Sequence, residues 1–197
     1  MYRVIIFLIL LFSVLFPSEK NYINGIIIYG NKILSDNELY TILTLKKPSL
    51  FTRSEFSQKI YIRDKQNLIG YYKSKGFQDV NISGDVNRNA DNNITITYTI
   101  NEGPQYKFKN IILSGNKYLS KDVILQFFNS QIGKHFNPTF IRKQIIDLKR
   151  SYLSDGKLNI YIMQELLIDG TDITLRLNIS EGLTCVIQAI QIVGLKT

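Results

Sequence analysis

The feature that most constrains this chain is that it repeats itself. Ile26-Ile27-Ile28-Tyr29-Gly30-Asn31-Lys32-Ile33-Leu34-Ser35 recurs as Ile111-Ile112-Leu113-Ser114-Gly115-Asn116-Lys117-Tyr118-Leu119-Ser120. Further along, Tyr72-Lys73-Ser74-Lys75-Gly76 corresponds to Tyr152-Leu153-Ser154-Asp155-Gly156, and Ile100-Asn101-Glu102-Gly103 to Ile179-Ser180-Glu181-Gly182. A third start stands at Ile190-Gln191-Ile192-Val193-Gly194. Gly30 and Gly115 are 85 residues apart, and Gly115 and Gly194 are 79 apart. Anchors recurring in one order mark copies of a single structural unit. The expected organisation is a unit over 22–103, a second over 104–182, and the first strand of a truncated third over 183–197.

Each unit reads as β-α-α-β-β. The β-branched run 23–29 ends in Gly30-Asn31, a pair suited to a turn with positive φ. Ser35 with Glu38 forms a capping box that opens a short helix bearing Leu39, Ile42 and Leu43. A second helix is expected over 54–74, with Phe56, Ile60, Leu68 and Tyr72 inward and Gly76 past its last turn. Residues 77–86 then read as a strand and 87–93 as a polar turn. Ile94, Ile96, Tyr98 and Ile100 alternate with threonines, the pattern of a half-buried strand. In the second copy Ser120 caps a helix carrying Ile124, Phe127 and Phe128, and Asn137-Pro138 starts another. In that helix Ile141, Ile145, Leu148 and Tyr152 share one face. Closing strands are expected over 159–165 and 171–180. The 85-against-79 spacing suggests a longer second helix in the first copy. The last two strands should form an antiparallel hairpin, with the first strand pairing in parallel. The expected fold class is α+β: tandem modules, each a three-stranded mixed sheet with two helices on one face.

The N-terminus is different in kind. Arg3 precedes an apolar run of 13 residues, Val4 to Phe16, followed by Pro17 and Ser18. As a helix it would span only about 20 Å, short of a hydrocarbon core of roughly 30 Å. Residues 1–18 therefore read as a signal peptide, which places the remainder outside the cytoplasm. The net charge of +8 is spread along the chain and is densest at Arg142, Lys143, Lys149 and Arg150. Such a field suits acidic partners or anionic headgroups. The one cysteine, Cys185, stands in an apolar run and reads as a buried small residue. The one histidine, His135, reads as structural or solvent-facing. No paired acid and base, phosphate loop or metal-ligand spacing recurs, so neither an enzyme nor a cofactor or metal site is expected.

The ordered set of an apolar strand ending Gly-Asn, a Ser-capped helix, Tyr-x-x-x-Gly and a strand closing in Glu-Gly resembles the POTRA (polypeptide-transport-associated) domain. The resemblance runs from Tyr22 to Thr197. It implies a periplasmic scaffold of an outer-membrane β-barrel assembly factor of the BamA/TamA type. The alternatives are a two-partner secretion transporter or a free periplasmic adaptor. The implied partners are unfolded outer-membrane proteins, other subunits of an assembly complex and a C-terminal membrane barrel of the same protein, with no nucleic acid. The family uses the strand after the second helix as a sheet edge to which an extended client adds. That maps onto Val80, Asn81, Ile82, Ser83, Gly84 and Asp85 in the first unit. In the second it maps onto Leu158, Asn159, Ile160, Tyr161 and Ile162, continuing to Gln164. Glu102-Gly103 and Glu181-Gly182 read as turns of the repeat rather than catalytic acids.

Overall fold

The computed structural model of the protein describes residues 21–49, 52–186, 188–191 and 194. The expected signal peptide lies outside them. Two compact units form: one comprises residues up to Ile69 together with Asn81–Asn101, the other Gly70–Val80 together with Glu102 onward. In chain order the elements of the first repeat are β1 (Tyr22–Tyr29), α1 (Asp36–Ile42), α2 (Gln58–Ser74), β2 (Asn81–Arg88) and β3 (Asn93–Asn101). Those of the second are β4 (Lys107–Ser114), α3 (Lys121–Gln126), α4 (Pro138–Ser154), β5 (Tyr161–Asp169) and β6 (Asp172–Ser180).

The expected β-α-α-β-β order and mixed sheets are present. One sheet runs β1-β3-β2 and the other β4-β6-β5. In each, the last strand is central, parallel to the first and antiparallel to its hairpin partner. The central position explains the strict alternation in sequence. Ile94, Ile96, Tyr98 and Ile100 of β3 are buried, as are Ile173, Leu175, Leu177 and Ile179 of β6. In the second unit β6 joins Phe108, Ile111, Ile124, Phe128, Leu148 and Tyr152 in one core cluster. Each such side chain contributes about 1.5–3 kcal/mol on burial. Both first strands carry a register shift at the same place in the repeat, between Ile23 and Gly25 and between Phe108 and Asn110. The irregularity turns Ile23 and Ile26, and likewise Phe108 and Ile111, inward together.

Local signals set the helix starts. Ser35 Oγ accepts from the Glu38 N–H, and Ser120 Oγ from the Val123 N–H. Asn137 caps α4 through the N–H groups of Thr139 and Phe140, with Pro138 in the first turn. Several expectations are corrected. The second helix of the first repeat begins at Gln58 rather than 54, leaving Phe56 ahead of it. Both second helices have 17 residues, so helix length does not explain the repeat spacing. Five of the six extra residues lie between the cap of the first helix and the start of the second: Gln58 follows Ser35 by 23 positions, Pro138 follows Ser120 by 18. Strand β2 starts at Asn81 rather than 77, and β5 at Tyr161 rather than 159. After Gly76 and Gly156 the chain first turns inward, burying Phe77, Val80 and Ile160 in the core. The polar turn is shorter than expected. Asn89 Oδ1 accepts from the N–H groups of Asp91 and Asn93, and Asn92 takes φ 59°. Cys185 is exposed, not buried, because it lies beyond β6 in a stretch with no strand partner among the described residues. His135 is solvent-facing, its backbone bridged to Lys107.

The recurring Gly, Tyr and Glu-Gly anchors form one device in the second unit. At Gly115, φ is +77° and an added Cβ would lie 2.1 Å from the Ile179 carbonyl oxygen, so β4 leaves the sheet almost touching β6. Two residues past Ile179, the Glu181 carboxylate accepts from the backbone N–H groups of Lys117 (2.8 Å) and Tyr118 (2.9 Å) and from the Tyr152 hydroxyl (3.0 Å). It thereby fastens the turn after β4 to the end of α4. Burial acts to raise the Glu181 carboxyl. The amides of Tyr118 and Lys117, the Tyr152 hydroxyl and the Lys157 charge outweigh it and hold the carboxyl below its ordinary value of 4.5. In the first repeat Gly30 has φ +83° and stands 2.0 Å, at its would-be Cβ, from the Ile100 oxygen. The Tyr72 hydroxyl likewise donates to Glu102 at 3.1 Å. The copies differ in what covers the tyrosine. Phe77 meets the Tyr72 ring edge-on at 5.6 Å. Lys157 replaces that aromatic, and Tyr118 supplies a ring 6.4 Å from Tyr152 while lying 5.3 Å beneath the Lys157 ammonium.

Gly115→Ala is expected to destabilise the second unit by more than about 2 kcal/mol, from the left-handed backbone plus the overlap with Ile179. Urea unfolding followed by circular dichroism measures it. Glu181 has a depressed folded-state pKa, so its contribution is present above the unfolded value and lost as pH falls through the folded one. Below pH 4.5 the unfolding midpoint of the native chain should fall more steeply than that of Glu181→Gln, which starts lower at neutral pH.

Candidate functional site

The strands that follow the second helices, β2 and β5, each form one of the two outer edges of their sheets, the other being β1 or β4. Each pairs on one side only among the described residues, leaving alternate N–H and C=O groups on the other. Of the residues expected on these edges, Asn81, Ile82, Ser83, Gly84 and Asp85 lie on β2, and Tyr161, Ile162 and Gln164 on β5. Val80, Leu158, Asn159 and Ile160 belong instead to the turns leading in. Ile82 faces the core, as Val80 and Ile160 do, while Ser83 and Tyr161 face out.

The two edges differ in chemistry. β2 reads Asn-Ile-Ser-Gly-Asp-Val-Asn-Arg and shows solvent mostly polar groups. Its inner face is filled. A Cβ at Gly84 would fall 2.2 Å from the Tyr61 hydroxyl, so Gly84 is the space into which that side chain fits. The Tyr61 ring stacks on Tyr98 at 5.8 Å. One turn along α2, the fully buried Asp64 accepts from the Thr44 and Leu45 N–H groups at 2.9 and 2.8 Å. Burial, with the charge of Asp64 and then the neighbouring Tyr61, pushes the Tyr98 hydroxyl well above its ordinary range. Burial and Asp85 raise Tyr61. Sequence periodicity did not single out Tyr61 or Asp64 as core, because a tyrosine and an aspartate on a helix read equally well as solvent-facing.

β5 reads Tyr-Ile-Met-Gln-Glu-Leu-Leu-Ile-Asp. Apolar side chains are exposed on both of its faces: Tyr161 (64%) and Met163 (49%) on one, Leu166 (43%) and Ile168 (60%) on the other. Only Ile162 packs against the core. Glu165 is held across the hairpin by Arg176 at 2.8 Å. The strand runs past the cover of the core and offers an apolar, open edge. Where β2 has Gly84 beneath Tyr61, the second repeat has Gln164, and the matching core positions are Ile141 and Leu177.

The POTRA family model, described as surface antigen variable number repeat, matches residues 21–103 and 106–182. A Treponema pallidum (strain Nichols) protein assigned as an outer membrane protein assembly factor is 25% identical over 157 residues, covering 77% of this chain and 19% of its own length. The outer membrane protein assembly factor BamA of Buchnera aphidicola subsp. Acyrthosiphon pisum (strain APS) is 24% identical over 165 residues, covering 79% and 26%. The chain thus spans about a fifth to a quarter of these relatives. Among solved structures, Haemophilus influenzae BamA POTRA3-5 superposes with a TM-score of 0.64 at 18% identity, over 86% of this chain and 70% of that one. The N-terminal domain of Omp85 from Thermosynechococcus elongatus gives 0.54 at 18% identity, over 85% and 65%. With both repeats matched by the family model and the β-α-α-β-β sheets in place, this chain belongs to the POTRA family, as two tandem modules.

Proposed function

We propose that this chain is a periplasmic polypeptide-binding scaffold of an outer-membrane β-barrel assembly factor, taking up unfolded outer-membrane proteins by strand addition and docking other subunits of an assembly complex. The observation that carries this reading is the open β5 edge with apolar side chains on both faces. A client segment adding there bonds through its main chain, which is indifferent to sequence, while its alternate side chains meet Tyr161 and Met163 or Leu166 and Ile168. The kinship with outer membrane assembly factors supplies the class of client. β2 is the lesser edge on this reading, since its polar outer face and filled inner face give side chains little to bind.

The stretch after Glu181-Gly182 is read as the opening of a third module. A repeated bond supports it within the second unit. The Cys185 N–H donates to the Gly156 carbonyl at 2.8 Å, as the Tyr106 N–H donates to the Gly76 carbonyl at 2.8 Å, and both donors stand four residues past the Glu of Glu-Gly.

Photo-crosslinkers at Tyr161 and Met163 should capture an unfolded outer-membrane barrel protein more efficiently than probes at Ser83, and far more than a helix-face probe at Lys65. Gel analysis of the adducts checks it, and equal capture at Lys65 would sink the edge-strand reading. Separately, Leu166→Pro should abolish capture at Tyr161 and Met163, because proline removes an edge donor and kinks the strand.

A further inference from the structure

The second module carries a surface that strand addition does not use. Helix α4 buries Ile141, Leu148 and Tyr152. Its opposite side exposes Arg142, Lys143, Ile146, Lys149, Arg150 and Leu153. These recur at three- and four-residue steps, so they form one straight stripe about 17 Å long on the solvent side of the helix. Within the helix there is one carboxylate, Asp147, and it is engaged by Arg150 at 3.0 Å. Arg142, Lys143 and Lys149 have no carboxylate partner among the described residues. Within the stripe the cations flank Ile146, which is 47% exposed. The corresponding helix α2 exposes Ile62 with two cations, Lys59 and Arg63, against four on α4, its Lys65 and Lys73 being half-buried. The basic stripe is therefore a property of this module and not of the repeat.

We propose that the outer face of α4 is a docking surface for an anionic phospholipid bilayer. Charge complementarity gives the partner its sign. The composition of the face gives its class: cations on both sides of the exposed Ile146, with Leu153 exposed at the end of the stripe, suit a surface that is anionic outside and apolar beneath. Long Lys and Arg side chains reach headgroup phosphates while Ile146 and Leu153 sit at the acyl boundary, the arrangement of helices that lie in a membrane interface. The inference stands apart from the edge-strand reading, because no α4 stripe residue lies on β2 or β5.

The test uses the full chain with Cys185→Ser and a polarity-sensitive fluorophore on Ile146→Cys, and in parallel on Ile62→Cys. Mixed phosphatidylglycerol–phosphatidylcholine vesicles should shift the emission of the Ile146 probe to the blue and shield it from aqueous quencher. Pure phosphatidylcholine should not, and added salt should reverse the effect. The shift should be lost in the triple variant R142Q/K143Q/K149Q and reduced in Lys149→Glu alone, with circular dichroism confirming that each variant is folded. No shift on anionic vesicles, an equal shift on neutral ones, or an equal shift at Ile62 would overturn the proposal. So would a response to polyglutamate without one to vesicles, which would assign the stripe to an acidic protein.

Discussion

The near-contact between a glycine and the neighbouring strand's carbonyl is the constraint from which the rest of each module follows. At Gly30 and Gly115 the first strand passes so close to Ile100 and Ile179 that any Cβ would collide with an oxygen. That crossing fixes the parallel register of first and last strands and brings the following turn within reach of the glutamate two residues on. In the second unit Glu181 then ties the turn to Tyr152 at the end of α4, so a sheet edge and a helix end are settled by one carboxylate. A glutamate nearly enclosed by protein would ordinarily be costly. Two amides and a phenol in fixed positions keep it ionised and make the site a fastening.

With the frame fixed in this way, the faces it carries are free to diverge. The first module closes its inner β2 face with Tyr61 over Gly84 and a buried Asp64 on the helix behind. The second has aliphatic residues at the matching places and shifts its exposed apolar surface to β5. Similar backbones thus present a polar, filled edge and an apolar, open one. On the strand-addition function proposed above, the apolar edge takes the client and the polar one stays inert.

Much of this was legible in the residues. The repeat gave the order of elements in each module, the alternation in 94–100 gave the buried face of a strand, and Ser35, Ser120 and Asn137 gave three of the helix starts. What was hidden was tertiary. Phe77 and Val80 look like strand residues, yet a buried turn after the helix-ending glycine uses them first, so β2 begins later. Glu102 and Glu181 look like turn residues because their partners lie 29 or more positions away in sequence. Cys185 looks buried by its apolar neighbours and is exposed because no strand among the described residues lies beside it. Edge-strand position itself was inferable only from a family resemblance, since period-two patterning does not say which strand is central.

The exchange of Phe77 for Lys157 alongside Ile33 for Tyr118 bears on how the repeats can change over generations. The ring that shields the glutamate-bonded tyrosine comes from after the second helix in one copy and from after the first strand in the other. A recombination event joining the first copy to the second between these two positions would yield a module with Ile33 and Lys157, and so with no covering ring. The reciprocal product would carry both Tyr118 and Phe77. Unequal crossing-over between tandem repeats is therefore silent only when its breakpoint leaves each such pair together, and the two copies are free to drift apart as linked sets rather than residue by residue.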